Sequence, residues 1–183
     1  MEATLPRETT DAGCAALARY AELRRIAFLT AAGCCALAVG VLVYLTDRDP
    51  AWARLLPMVG ARAGNAAFGV LGQWLPSFVH VFAFGLFTAA ALPLRRTPRY
   101  EVCAVWCVVN VALELGQHPQ LSARLAEALE GGFGRTSLIR QLAGYFVRGT
   151  FDVGDVVAAV LGALMAAAVL RLTYRRWEVP HAQ

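Results

Sequence analysis

The chain contains no lysine: all 17 of its basic residues are arginine, against 13 acids, for a net charge of +4. Charge is scarce, at 16% of residues. The arginines gather in short clusters and never interleave with aromatics along a groove, which excludes a nucleic-acid-binding face. Arginine without lysine, together with abundant alanine, marks GC-rich bacterial coding, so the pI near 9.0 carries little functional meaning. The five cysteines form no disulfide framework. Cys34 and Cys35 are adjacent in an apolar run, Cys103 and Cys107 lie one helical turn apart, and Cys14 belongs to a leader expected on the reducing side. With no histidine beside it, the Cys-x3-Cys pair reads as small apolar filler. There is no HExxH, no glycine elbow around Ser77, no internal repeat and no low-complexity segment. Neither a metal nor a cofactor is expected.

Hydrophobicity is what the chain has in excess. It is 58% apolar, against the ~45–50% usual in soluble domains. Ile26–Leu45 runs without a charge, long enough to cross a hydrocarbon core of about 30 Å at ~1.5 Å per residue. A long leader holding Glu2, Glu8, Asp11 and Glu22 precedes it, and no small-x-small site follows, so an uncleaved first span is expected. Similar stretches predict an all-α membrane protein, a four-transmembrane-helix bundle with spans at about 26–45, 77–94, 100–117 and 153–172. A leader over 1–25 and a tail over 174–183 flank this 26–173 domain. The third span is the shortest, with Asn110 and Glu114 inside it, and Pro119 disfavours helix at His118. The two outer connections are expected to carry short amphipathic interfacial helices. In the first, Pro50–Pro57 and Phe68–Trp74 are rich in apolar and aromatic residues. In the second, Leu121, Leu125 and Leu129 recur every fourth position, and Leu138, Leu142 and Phe146 repeat the pattern after Gly131-Gly132.

Arginine placement sets the expected orientation. Dense clusters precede span one (Arg19, Arg24, Arg25), separate spans two and three (Arg95, Arg96, Arg99) and follow span four (Arg171, Arg175, Arg176). Such clusters belong on the cytoplasmic side. Arginines in the other two connections are spread out and mixed with acids. Both termini are therefore expected inside a bacterial cytoplasmic membrane.

On that topology the polar residues at the span edges meet at the outer face. His80 lies about one turn inside span two; Glu114 and Gln117 close span three at i, i+3; Asp152 and Asp155 open span four with the same spacing. Arg148 stands nearby. Ionisable groups at membrane depth are costly and are functional candidates by default. Each also has a structural alternative. Asp152 and Asp155 suit the N-terminus of span four as cap and third residue. His80 can bridge two helices, and Gln117 can be an interfacial polar residue. Asn110 and the small residues Ala158, Gly162 and Ala166 fit helix packing.

At these residues the chain resembles the VanZ-like family of bacterial membrane proteins. The matching pieces are Pro76-Ser-Phe-Val-His80-Val-Phe-Ala-Phe84, Glu114-Leu-Gly-Gln117 and Gly149-Thr-Phe-Asp152-Val-Gly-Asp155 with the small-residue helix through Gly162. The resemblance implies four transmembrane helices, signature positions at His80, Glu114, Gln117, Asp152 and Asp155, and a link to the cell envelope, since the founding member is associated with resistance to the glycopeptide teicoplanin. It departs at Pro76, where many members carry an acid, and at Ala159, where many carry asparagine; the segment 119–147 is also long.

Three functions compete. The polar cluster binds an envelope component, a lipid-linked phosphate or glycan, with membrane lipids around it. Alternatively the chain is a non-catalytic accessory subunit of a larger membrane complex, its polar residues clamping the helices together. A hydrolase or transferase reading lacks an identifiable nucleophile or metal, so no catalytic residue is assigned.

Overall fold

The computed structural model describes residues 7–47, 68–92, 100–134 and 136–177, and every regular element among them is helical. The order is α1 (Arg7–Asp47), α2 (Gly69–Ala91), α3 (Tyr100–Gly116), α4 (Ser122–Phe133), α5 (Ser137–Arg148) and α6 (Val153–Trp177). Three of these helices are long and apolar enough to cross a membrane: α1 over Ala15–Asp47, α2, and α6 over Val153–Tyr174. α3 has 17 residues, about 25 Å of rise, and is shorter than the other three.

Helix boundaries differ from the expected spans in instructive ways. α1 is continuous through the polar leader, with 41 residues and no break at Arg25. Nothing between Arg7 and Asp47 stops a helix: the segment has no proline, and alanine and arginine favour the helical state. α2 starts eight residues before Ser77, so Phe68–Trp74 leads into and forms its first turns. Pro76 lies inside the helix, where it forfeits one backbone bond without ending it. α4 runs through Gly131-Gly132 and stops at Gly134, whose φ of 76° is open to glycine at little cost. α5 then begins at Thr136, whose side chain accepts from Ile139 N at 3.3 Å. The segments 48–67 and 93–99, with the Pro50–Pro57 stretch and the Arg95/Arg96/Arg99 cluster, lie outside the described residues.

α2 is the hub, packing on α1, α3 and α6. Cross-contacts fix the directions. Gly72 lies against Asp47, Gly40 against Val79 and Gly33 against Phe87, so α1 and α2 are antiparallel. Trp74 meets Gly154, Phe78 meets Gly162 and Gly85 meets Ala166, so α2 and α6 run parallel. Trp106 of α3 stacks on Phe84 and donates to Thr88 Oγ1 at 3.0 Å. Cys103 lies against Gly85, while Glu114, further along α3, stands near Asp155, the partner of Ser77, so α3 is antiparallel to α2. The core is built from small side chains, Ala89, Ala90, Ala159, Ala163 and Ala166, around Leu29, Val81, Leu86 and Leu170. Small residues let helix backbones approach closely, which is how packing substitutes for the weak hydrophobic drive between helices in lipid. At Gly162 a Cβ would meet Phe78 O at 2.5 Å, so only glycine permits that approach.

The two ends of the bundle carry opposite chemistry. At one end Arg25, 1% exposed, donates to Ala89 O at 3.2 Å and Leu92 O at 3.3 Å and pairs with Glu22 at 2.7 Å. It caps the C-terminus of α2. At the other end lie Asp47, Glu114, Asp152 and Asp155.

Candidate functional site

The acid-rich end is assembled by topology. α2 and α6 both begin there and α3 ends there, which brings residues 74–77, 114–117 and 152–155 together. Asp152 N-caps α6 in effect: its Oδ1 accepts from Gly154 N at 2.7 Å, and its carbonyl accepts from Asp155 N at 3.1 Å. Its other oxygen, Oδ2, accepts from Trp74 Nε1 at 3.0 Å. Asp155, one turn on, accepts from Ser77 Oγ at 2.7 Å. Gly154 makes this possible, since a side chain there would occupy the Trp74 indole. Both aspartates therefore tie α6 to α2.

Glu114 stands beside them on α3, within electrostatic reach of Asp155 and Asp152, with the Asp152 backbone N–H directed at its carboxyl group. Its Oε2 is buried and has no hydrogen-bond partner. Gln117 is buried at 8% exposure, lies against Gly149, and hydrogen-bonds the Tyr145 phenol. Burial first, and the Glu114 carboxyl second, hold that phenol above the usual tyrosine range. Tyr145 comes from α5, whose Ala143 and Phe146 are buried; Phe146 packs over Gly116.

Of the residues expected to converge, Glu114, Gln117, Asp152 and Asp155 do come together. His80 and Arg148 stand apart from them. His80 is exposed on α2, its ring stacked on Phe84 at 6.0 Å between centroids, and it makes no hydrogen bond to the acids. A three-residue step turns the helix by about 300°, so when Ser77 faces Asp155, His80 faces about 60° away. Arg148 is exposed and folds along its own helix, donating to Gly144 O at 3.1 Å. No protein-family model, curated protein or solved structure matches the chain.

The chemistry of the cluster rests on its own side chains. Among the described residues, three carboxylates meet four neutral groups, Trp74, Ser77, Gln117 and Tyr145, and no cation. Among the described residues, no group of three His, Cys, Asp or Glu side chains could hold a metal ion. Ser77 donates to Asp155 and not to His80, so the serine and histidine do not form a nucleophile–base pair. The arrangement is a carboxylate cluster met by neutral donors, with one carboxylate oxygen, Glu114 Oε2, left without one. Trp74, Ser77 and Tyr145 are the members that sequence reasoning missed. Ser77 had a weak signal, lying one helical turn before His80; Trp74, six residues before it and about 120° round the helix, had none. Tyr145 had none, because its contact depends on how α5 folds back over α3.

Proposed function

We propose that this chain is a VanZ-like protein of the bacterial cytoplasmic membrane, with four spans and both termini inside, whose acid-rich outer end binds the head group of an envelope lipid or glycan. Three findings support the fourth span: α3 packs against both α2 and α6, it alternates direction with α2, and its 17 residues reach the short end of the ~17–25 that cross a bilayer, with local thinning. α4 and α5 then lie at the outer interface, their apolar Leu138, Leu142 and Phe133 facing lipid. The arginine clusters supply the orientation.

The observation that carries the binding reading is the buried, unpartnered Glu114 Oε2 amid two further carboxylates. A buried acceptor without a donor is costly, and a ligand hydroxyl or ammonium would satisfy it. With Arg148 turned away, the site suits sugar hydroxyls or an amine better than a bare phosphate. Aspartates 152 and 155, with Trp74 and Ser77, hold the pocket in shape. Binding of a polyprenyl-linked disaccharide to the full chain in nanodiscs, measured against polyprenyl phosphate without sugar, tests this. Wild type should prefer the glycosylated lipid, and Glu114→Gln should lose that preference with its folding unchanged. Equal binding of both lipids by wild type would overturn the reading.

One observation favours the accessory-subunit reading: the Trp74–Asp152 and Ser77–Asp155 bonds occupy both aspartates as a clamp between α2 and α6. On that reading Glu114→Gln lowers copurification with partner subunits at fixed stoichiometry and changes no lipid preference.

A further inference from the structure

Gln73, His80, Phe84 and Ala91 recur at i, i+7, i+11 and i+18 on α2, one face of the helix, and all four are exposed. The face is a groove and not a ridge. α1 forms one wall, where Gly33 admits the Phe87 ring, and α3 forms the other, where Trp106 stacks on Phe84 at 5.0 Å. Among the described residues, α1 and α3 pack on α2 and scarcely on each other, so nothing closes the groove. Along its floor the polarity falls steadily: the Gln73 amide at the acid-rich end, then the His80 imidazole stacked on Phe84, then the Phe87 ring set edge-on to Phe84.

We propose that this groove seats one diacyl phospholipid of the leaflet at the acid-rich end, with His80 donating an imidazole N–H to its ester or phosphate oxygens. The length fits. Gln73 to Phe87 spans 14 residues, about 21 Å, and half of a bilayer of ~40–45 Å including head groups is about the same. The chemistry fits an amphiphile. A partner helix crossing the membrane presents apolar surface along its length and would leave the His80 nitrogens without partners in hydrocarbon, a costly arrangement. A lipid offers head-group acceptors to Gln73, ester acceptors at the depth of His80 and an acyl chain to the phenylalanines, in that order. The site is on a different flank of α2 from the carboxylate cluster and does not depend on the ligand proposed for that cluster.

The test is lipid retention by the full chain, reconstituted in vesicles of phosphatidylethanolamine and phosphatidylglycerol, extracted in mild detergent and weighed by native mass spectrometry. Wild type should retain one phospholipid per chain. His80→Leu, which faces outward and leaves the core intact, should reduce that occupancy about tenfold, as expected for loss of one hydrogen bond in an apolar setting. Glu114→Gln should retain lipid as wild type does, which separates this site from the head-group site. A phospholipid with a photoreactive acyl chain should label peptides containing Phe84 and Phe87. Unchanged retention by His80→Leu, labelling spread evenly over the outer faces of α1 and α6, or a lipid-free dimer would each overturn the proposal.

Discussion

Arg25 should be the most stability-critical charged side chain in the bundle. It is 1% exposed, and its guanidinium reaches two α2 carbonyls, Ala89 O and Leu92 O, while Nε and one terminal nitrogen fork onto Glu22 at 3.1 and 2.7 Å. The two carbonyls sit at the negative end of the α2 dipole, where a cation is favourable. Arg25→Ala removes charged donors from both and leaves Glu22 without its counter-ion. Hydrogen bonds to charged groups contribute about 1.5–3 kcal/mol each, and breaking a buried ion pair costs about 3–5 kcal/mol. Water at the bundle end can recover part of this, so about 3 kcal/mol is the working figure. For a chain of this size that corresponds to a fall in Tm of roughly 6–12 °C.

The assay is thermal unfolding in detergent, followed by near-UV circular dichroism. Arg25→Lys keeps the charge but not the fork, and should recover only part of the loss. Arg24→Ala is the control. Arg24 is exposed and stacks over Tyr20 at 5.7 Å, an interaction of about 0.5–1 kcal/mol. Both arginines count equally toward the charge bias on which the proposed orientation rests. If Arg24→Ala and Arg25→Ala lower Tm by the same amount, or neither does, the capping argument is wrong.

Further outcomes follow from the other contacts. Gly162→Ala places a methyl against Phe78 O at 2.5 Å and should force α2 and α6 apart, costing about 1–3 kcal/mol of stability in the same unfolding assay. Ser77→Ala and Trp74→Phe each delete one bond between α2 and α6 and should each cost about 1 kcal/mol; because the two bonds lie one helical turn apart in one clamp, the double variant should depart from the sum, and strict additivity would show that they act independently. Because Tyr145 is held above the ordinary tyrosine range when folded, the folded state favours the neutral phenol. Its contribution is complete below the unfolded pKa and is lost as pH rises through the folded one. Absorbance titration at 295 nm should show one late-ionising tyrosine that Tyr145→Phe removes.

Much of the helical content was legible from apolar blocks alone, because a run such as Ile26–Leu45 has few alternatives in a chain this hydrophobic. Boundaries were not. The polar leader has the composition of a helix, but its sequence does not show whether that helix is continuous with the first span, since helix propensity in Arg- and Ala-rich sequence looks the same whether or not the helix continues. Span two was expected to open at Ser77, yet the helix passes back through Pro76, with Gly72 N bonding Phe68 O in the turn before. Hydropathy ranks residues by polarity but says nothing of angle. It therefore grouped His80 with the acids at the right depth and missed that Ser77, not His80, faces Asp155. Arg148 was misleading for the same reason: a charge near the cluster in sequence need not turn toward it.

Parallel packing of α2 and α6 explains why the acids collect where they do. Both helices present their N-termini, the positive ends of their dipoles, to the same end of the bundle. Asp152 and Asp155 occupy the first turn of α6, and Asp47 accepts from Phe68 N at 3.0 Å at the start of α2, so each of these carboxylates sits where a helix favours it. Glu114 is the exception. It lies at the C-terminal end of its own helix, the negative end, and its one directed backbone donor, the Asp152 N–H, comes from the segment leading into α6. Three carboxylates are thus anchored by helix ends and one-to-one donors, and the fourth has an oxygen left over. If the head-group reading holds, that leftover acceptor is where specificity resides, and Glu114→Gln, which supplies a donor of its own in place of the ligand's, should alter which lipid is chosen before it alters how stably the bundle folds.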